Sequence, residues 1–115
     1  MFPKKNRISK TEFGELLKKG RAFHSPYFSL LCFKKENKEP KFAFVVSKKV
    51  ARNAADRNIL RRRGFSVLRD ISILKEKNKW VGFFGVFFFK KEAKNLNFED
   101  IKKEVKILLE KSGGI

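Results

Sequence analysis

Lys48, Lys49, Arg52, Arg57, Arg61, Arg62 and Arg63 crowd into the stretch from Ser47 to Arg63, where Asp56 is the only carboxylate. Fixed positive charge at this density holds polyanions, because each neutralised phosphate frees condensed counterions and so favours binding. On a helical wheel Asn58, Arg62, Phe65 and Arg69 follow i, i+4, i+7, i+11 and share one face, while Arg57 and Arg61 form an i, i+4 pair on its edge. Like charges at that spacing repel and weaken an isolated helix, so local stability does not explain them. Arginine presents a planar fork of donors that grips phosphate with two bonds and stacks on bases. Asn58, uncharged among arginines, can read a 2′-hydroxyl or a base edge. Phe65 either stacks on a base or sugar or packs under a neighbouring loop. Lys48 and Lys49 precede a helix N-terminus, the end whose dipole disfavours cations. That placement makes sense when a phosphate shares the site with the backbone amides. A lone basic run is usually a solvated face; this combination points to nucleic acid.

Such charges need regular elements to hold them. Ser9-Lys10-Thr11-Glu12 fits a capping box. A short helix is predicted after it, with Phe13, Leu16 and Leu17 on one side and a stop at Gly20. Residues 27–34 read as a strand rich in aromatics. Lys35 to Lys41 is a polar turn, and Phe42 to Ser47 a second strand, apolar on both faces and so expected to be central. These two strands are expected to pair as an antiparallel hairpin. Asn53 is placed to cap the next helix, with Asp56 near its positive end. Leu60, Val67, Ile71 and Leu74, with Gly64 in the same stripe, carry that helix to about Lys77. Trp80 to Phe89 reads as a third strand, where Gly82 and Gly85 mark bulges or close backbone approach. Asn97 caps a last helix that turns Phe98, Ile101, Val105, Leu108 and Leu109 inward and ends near Gly113. The order helix-strand-strand-helix-strand-helix predicts an α+β fold, two layers thick, with a β-α-β crossover around the basic helix.

The 115 residues leave room for one domain, residues 1–115, with one modest core built largely from 14 phenylalanines. A net charge of +17 repels itself in a compact state, so an acidic partner is expected. The single cysteine, Cys32, excludes an intramolecular disulfide and a Cys/His zinc cluster, and its apolar surroundings suit a buried hydrophobe. His24 has no Ser, Cys or Asp partner at a telling spacing, and Asp56, Asp70 and Asp100 are scattered, so no protein-borne hydrolase site or metal pair is expected. The cations at the start are followed by no apolar segment, so no secretory signal is expected. The longest apolar run is about half of what a bilayer requires. A cytoplasmic protein without membrane attachment is expected.

Phe44-Val45-Val46-Ser47-Lys48-Lys49-Val50, followed by Arg57-Asn58-x-x-Arg61-Arg62-Arg63, resembles the bacterial ribonuclease P protein component. The resemblance extends over nearly the whole chain, from Asn6-Arg7-Ile8 through Phe13 and Lys18 to Gly20, the Tyr27–Phe33 strand, and Phe98-Glu99 with its amphipathic helix. It implies a two-layer α/β sandwich like the second domain of ribosomal protein S5, with a left-handed β-α-β crossover. It also implies a cofactor protein, monomeric in its holoenzyme, that binds a catalytic RNA and precursor tRNA. The holoenzyme would remove the 5′ leader, with Mg²⁺ expected to accompany the RNA and no cofactor held by the protein. Carried over residue by residue, Ser47, Lys48, Lys49, Arg57, Asn58, Arg61 and Arg62 match the RNA-contacting helix and its approach, flanked here by Arg52, Arg63, Phe65 and Arg69. Phe13 and Phe28, with Lys10 beside them, match a cleft for the single-stranded leader. Ile59 stands where the family usually has a basic residue, and Gly64-Phe65 where many members have leucine and a basic residue. A general RNA chaperone or ribosomal-protein-like module is the alternative from another class; a stand-alone nuclease and a membrane-surface binder are weaker ones.

Overall fold

The computed structural model describes residues 2–36 and 38–113, apart from the side chains of Leu74, Glu76, Lys77 and Asn78, so the expected inward place of Leu74 lies outside the description. Helix α1 (Lys10–Lys19) starts at the predicted box: the Glu12 N–H donates to Ser9 Oγ at 3.2 Å and the Ser9 N–H to Glu12 Oε1 at 2.8 Å. Leu16 is buried on its inner side, but Leu17 points outward and is 62% exposed. Strand β1 (Arg21–His24), not anticipated, leads into β2 (Phe28–Lys34), β3 (Lys41–Val45) and α2 (Ala54–Asp70). Asn53 caps α2 by accepting from the Ala55 N–H. The helix ends earlier than expected because Ser72 turns into the left-handed region with φ 57°. A single 3₁₀ turn (Ile73–Glu76) and the one-turn α3 (Lys77–Trp80) follow before β4 (Phe83–Phe89). Trp80 therefore closes a helical turn and does not begin a strand. Helix α4 (Phe98–Ser112), capped by Asn97 and closed by left-handed Gly113, completes the fold as expected.

The sheet order is β1-β2-β4-β3. The expected β2–β3 hairpin does not form: β4 lies between them, antiparallel to β2 and parallel to β3. The polar connection is tied to the start of β4, through Lys35 N–H to Gly82 C=O at 2.8 Å and Gly82 N–H to Lys38 C=O at 2.7 Å. Gly82 (φ 75°) must be glycine there, since a Cβ would stand 2.1 Å from the Lys35 carbonyl oxygen. Strand β3 is an edge strand. Its outer side is met by the N-terminal segment, where Arg7 bridges to Phe42 and the Ile8 N–H donates to the Phe42 carbonyl at 3.1 Å. Its apolar character on both faces reflects coverage from above and below, and the most continuous apolar strand, β4, holds the centre.

Alternation sorts the side chains cleanly. Phe28, Leu30 and Cys32 of β2, Phe42 and Phe44 of β3, and Phe83, Phe87 and Phe89 of β4 face the layer made by α2 and α4. Leu31, Phe33, Ala43, Val45, Phe84, Val86 and Phe88 face the other side, which α1 covers only in part. Burial pushes the Cys32 thiol up to about 11, so it is an inert core group. Helix α2 lies close against the sheet at Gly64, where a Cβ would meet the Phe44 ring at 2.6 Å. That ring cannot yield, because it stacks on Phe87 at 5.1 Å and meets Phe65 and Phe89 edge-on.

Gly64→Ala is therefore expected to destabilise by about 1–2 kcal/mol despite the better helix propensity of alanine. Gly14→Ala, with nothing within 4 Å of the added methyl, is expected to stabilise by about 0.5–1 kcal/mol. Urea unfolding of both variants checks the pair, and a stabilising Gly64→Ala would contradict the close approach. Glu12 also ties α1 to β3, accepting from Lys41 Nζ at 2.7 Å. Burial raises its pKa, but the bonds from Lys41 and Ser9 outweigh that and hold the carboxyl below its ordinary value. Its contribution is fully present above the unfolded pKa and lost as pH falls through the lowered folded one. Glu12→Gln should thus lose less stability than the wild type as pH falls from about 5 to about 2, and an equal loss would remove Glu12 from the acid response.

Candidate nucleic-acid interface

Packing α2 onto the sheet through Leu60, Gly64, Val67 and Leu68 turns its opposite side to solvent. Asn58, Arg62 and Arg69 are exposed there, and Arg61 is half-buried. The predicted face becomes an open hollow lined by Asn58, Arg61, Arg62, Phe65, Ser66 and Arg69, joined by Phe2 and Arg7 from the N-terminal segment. No carboxylate lines it. Arg61 Nη2 donates to Asn58 Oδ1, which orients the amide and guanidinium together. Phe65 resolves to its packing alternative: it lies 5.3 Å from Phe2 and 5.1 Å from Phe44, and the Arg7 guanidinium sits 4.6 Å above its ring. It is half-buried and forms part of the hollow's wall.

A second basic hollow surrounds the start of α2. Lys48, Lys49 and Arg52 line it with Asn53 and Asp56, and Lys91 and Lys94 join them from the segment after β4. Parallel pairing explains the meeting, since β3 and β4 deliver their following segments to the same end of the sheet. The Ser47 carbonyl accepts from the N–H groups of Val50 and Ala51 at 3.1 and 3.2 Å, which makes the lysine segment a tight turn. Arg57 Nη1 donates to the carbonyls of Ala51 and Arg52 at 3.0 and 2.7 Å. Arg57 therefore ties this turn to the helix, and that nitrogen is already occupied. Among the described residues, no carboxylate lies within ion-pair distance of Lys48, Lys49, Arg52, Arg61, Arg62 or Arg69; the described pairs are Lys35–Glu15, Lys41–Glu12 and Lys102–Asp70.

Arg63 is not part of either hollow. Its Nη1 points to the Leu96 carbonyl at 3.4 Å on the flank of α2, beside Ile59, which is 49% exposed. The leader-cleft residues are also divided. Phe13 packs over Phe88, 6.2 Å between ring centres, on the partly covered sheet face, and Lys10 is exposed one turn earlier on α1. Phe28 is fully buried on the opposite face, edge-on to Phe89 at 4.8 Å, and cannot line a cleft with Phe13. Even and odd positions of β2 face different layers, so Leu31 and Phe33 stand where Phe28 was expected. His24 Nδ1 lies 2.9 Å from Ser29 Oγ in an exposed cross-strand pair, and no carboxylate joins it among the described residues.

Sequence reasoning missed Phe2, Arg7, Lys91 and Lys94. Asn6-Arg7-Ile8 had been read only as part of a family resemblance, and its position depends on pairing with β3. The Lys90-Lys91-x-x-Lys94 run was a usable charge signal, but only the parallel β3–β4 pairing connects it with Lys48.

The family model described as Ribonuclease P matches residues 2–113. The ribonuclease P protein component of a Nitratiruptor species is 36% identical over 103 residues, covering 90% of this chain and 87% of that protein. In fold, the chain is similar to the Staphylococcus aureus RNase P protein, with a TM-score of 0.76 at 19% identity over 93% of this chain and 94% of the other. It is similar also to the Thermotoga maritima RNase P protein, with a TM-score of 0.71 at 22% identity over 89% and 94%. With its length matched almost end to end, this chain belongs to the family of ribonuclease P protein components, the protein part of an endoribonuclease holoenzyme.

Proposed function

We propose that this protein binds ribonuclease P RNA through the two basic hollows of α2 and receives the 5′ leader of precursor tRNA against the partly covered sheet face. The observation that carries this is the α2 face itself: arginines held together on a packed helix, with no carboxylate lining their hollow. Arginine forks in such a hollow suit a backbone that presents phosphates at intervals. Lys48, Lys49, Arg52, Lys91 and Lys94 extend the positive surface along the helix to its N-terminal end, where the macrodipole adds to the field. Phe13, Leu31, Phe33 and Phe88 offer apolar surface beside Lys10, which suits sequence-tolerant contact with a single strand. In this reading the RNA carries the Mg²⁺-dependent hydrolysis, and the protein, as one monomer in the cytoplasm, neutralises phosphates and holds the substrate. No helix among the described residues is long and apolar enough to cross a membrane.

Reconstitution tests the reading. Adding the protein to its ribonuclease P RNA is expected to allow precursor tRNA cleavage at Mg²⁺ concentrations where the RNA alone is inactive. RNA binding without that gain would favour a general chaperone, and cleavage by the protein without RNA would favour a nuclease. Arg61→Ala with Arg62→Ala should lower the slope of log affinity against log salt by about 1.4–1.8, since each phosphate contact contributes roughly 0.7–0.9. Phe13→Ala is expected to weaken holoenzyme binding of precursor tRNA by about 1–3 kcal/mol while leaving mature tRNA unaffected, the worth of one lost stacking contact. Equal weakening for both RNAs would take Phe13 out of the leader cleft.

A further inference from the structure

We infer that Arg7 is a phosphate-binding residue of the α2 face, delivered there by an N-terminal strap anchored through Phe2 and Asn6. The inference rests on the proposed RNA-binding role and adds to it a residue from outside the helix. The strap is attached on both sides of Arg7. Before it, Phe2 is 3% exposed and packs on Phe42 and Phe65, with ring centres 6.2 and 5.3 Å away. Asn6 is 1% exposed and its Nδ2 donates to the Pro40 carbonyl at 2.9 Å. After it, the Ile8 N–H joins the edge of β3 at Phe42. The Arg7 side chain itself is exposed and ends in the hollow that holds Arg61, Arg62 and Arg69.

Electrostatics make this an odd place for a structural arginine. Three neighbouring cations oppose it, no carboxylate lines the hollow, and an exposed cation–π contact such as Arg7 on Phe65 returns little. Covering the Phe65 ring needs only an apolar stem. A guanidinium seated over that ring still presents N–H donors to phosphate oxygens, and that use requires the charge. Phe65 and Phe2 act as positioning residues, which also accounts for a phenylalanine within the polar stripe.

The test measures affinity for the ribonuclease P RNA transcript across a salt series, using the full chain. Arg7→Met keeps a long stem over Phe65 and removes the charge. It is expected to melt at the wild-type temperature, to lower the salt slope by about 0.7–0.9, and to weaken binding roughly tenfold or more at low salt. Arg7→Lys is expected to keep the slope and lose part of the affinity, because the ammonium cannot use the planar seat. A wild-type slope and affinity for Arg7→Met overturns the inference. If the Arg61→Ala, Arg62→Ala variant still loses its slope in the same series, the α2 reading stands and only Arg7 is removed. If both variants are silent, the α2 interface itself fails. Arg7→Lys that matches wild type in affinity removes Phe65 from its positioning role.

Discussion

Parallel pairing of β3 with β4, in register from Lys41–Phe84 to Val45–Phe88, obliges the chain between them to cross over the sheet, and α2 is that crossover. Both strands then end on the same side. The Ser47 turn and the Lys91 segment converge there, and α2 starts in the midst of their charges. The crossing helix must lie close to the sheet, and Gly64 against Phe44 makes that possible. Its outward face is thereby fixed relative to the N-terminal strap on the neighbouring edge. Both basic hollows depend on this strand pairing, and the one holding Arg7 depends also on the N-terminal strap at the outer edge of β3.

The arrangement of charge follows a consistent logic. Glu12, Glu15 and Asp70 pair with Lys41, Lys35 and Lys102, cations that lie outside both hollows. In the hollow around Arg62 and Arg69 no acid offsets the arginines, whereas Asp56 lines the hollow at the start of α2. Unrelieved repulsion opposes folding, and the phenylalanine core bears it. The described contacts show how: Phe44 alone meets Phe65, Phe87 and Phe89. A polyanion that settles into these hollows relieves the repulsion and stabilises the fold by linkage.

Local chemistry was legible in the sequence. Ser9 with Glu12, Asn53 and Asn97 mark their helix starts because a capping bond spans only two or three residues. The Arg62–Arg69 face was legible for the same reason, since helical periodicity alone defines it. Long-range pairing was not. The expected β2–β3 hairpin treated sequence neighbours as spatial neighbours, while β4, the most continuously apolar strand, takes the central place between them. Phe28 was assigned to the wrong face because a strand's pleat cannot be phased without knowing which layer covers it. Arg7 and Lys94 were invisible as site residues until the edges of β3 and β4 were known.

In the proposed function the outer face of α2, and not the outer face of α4, lies against RNA. Because Cys32 is buried with its thiol pushed up to about 11, a cysteine added at the surface can be labelled selectively. A hydroxyl-radical-generating chelate on Ser66→Cys, inside the α2 hollow, can be compared with the same chelate on Lys103→Cys, exposed on α4. The expected result is a confined set of cuts in the ribonuclease P RNA from the first position and none above background from the second. Cuts from the α4 position with none from the α2 position would contradict it.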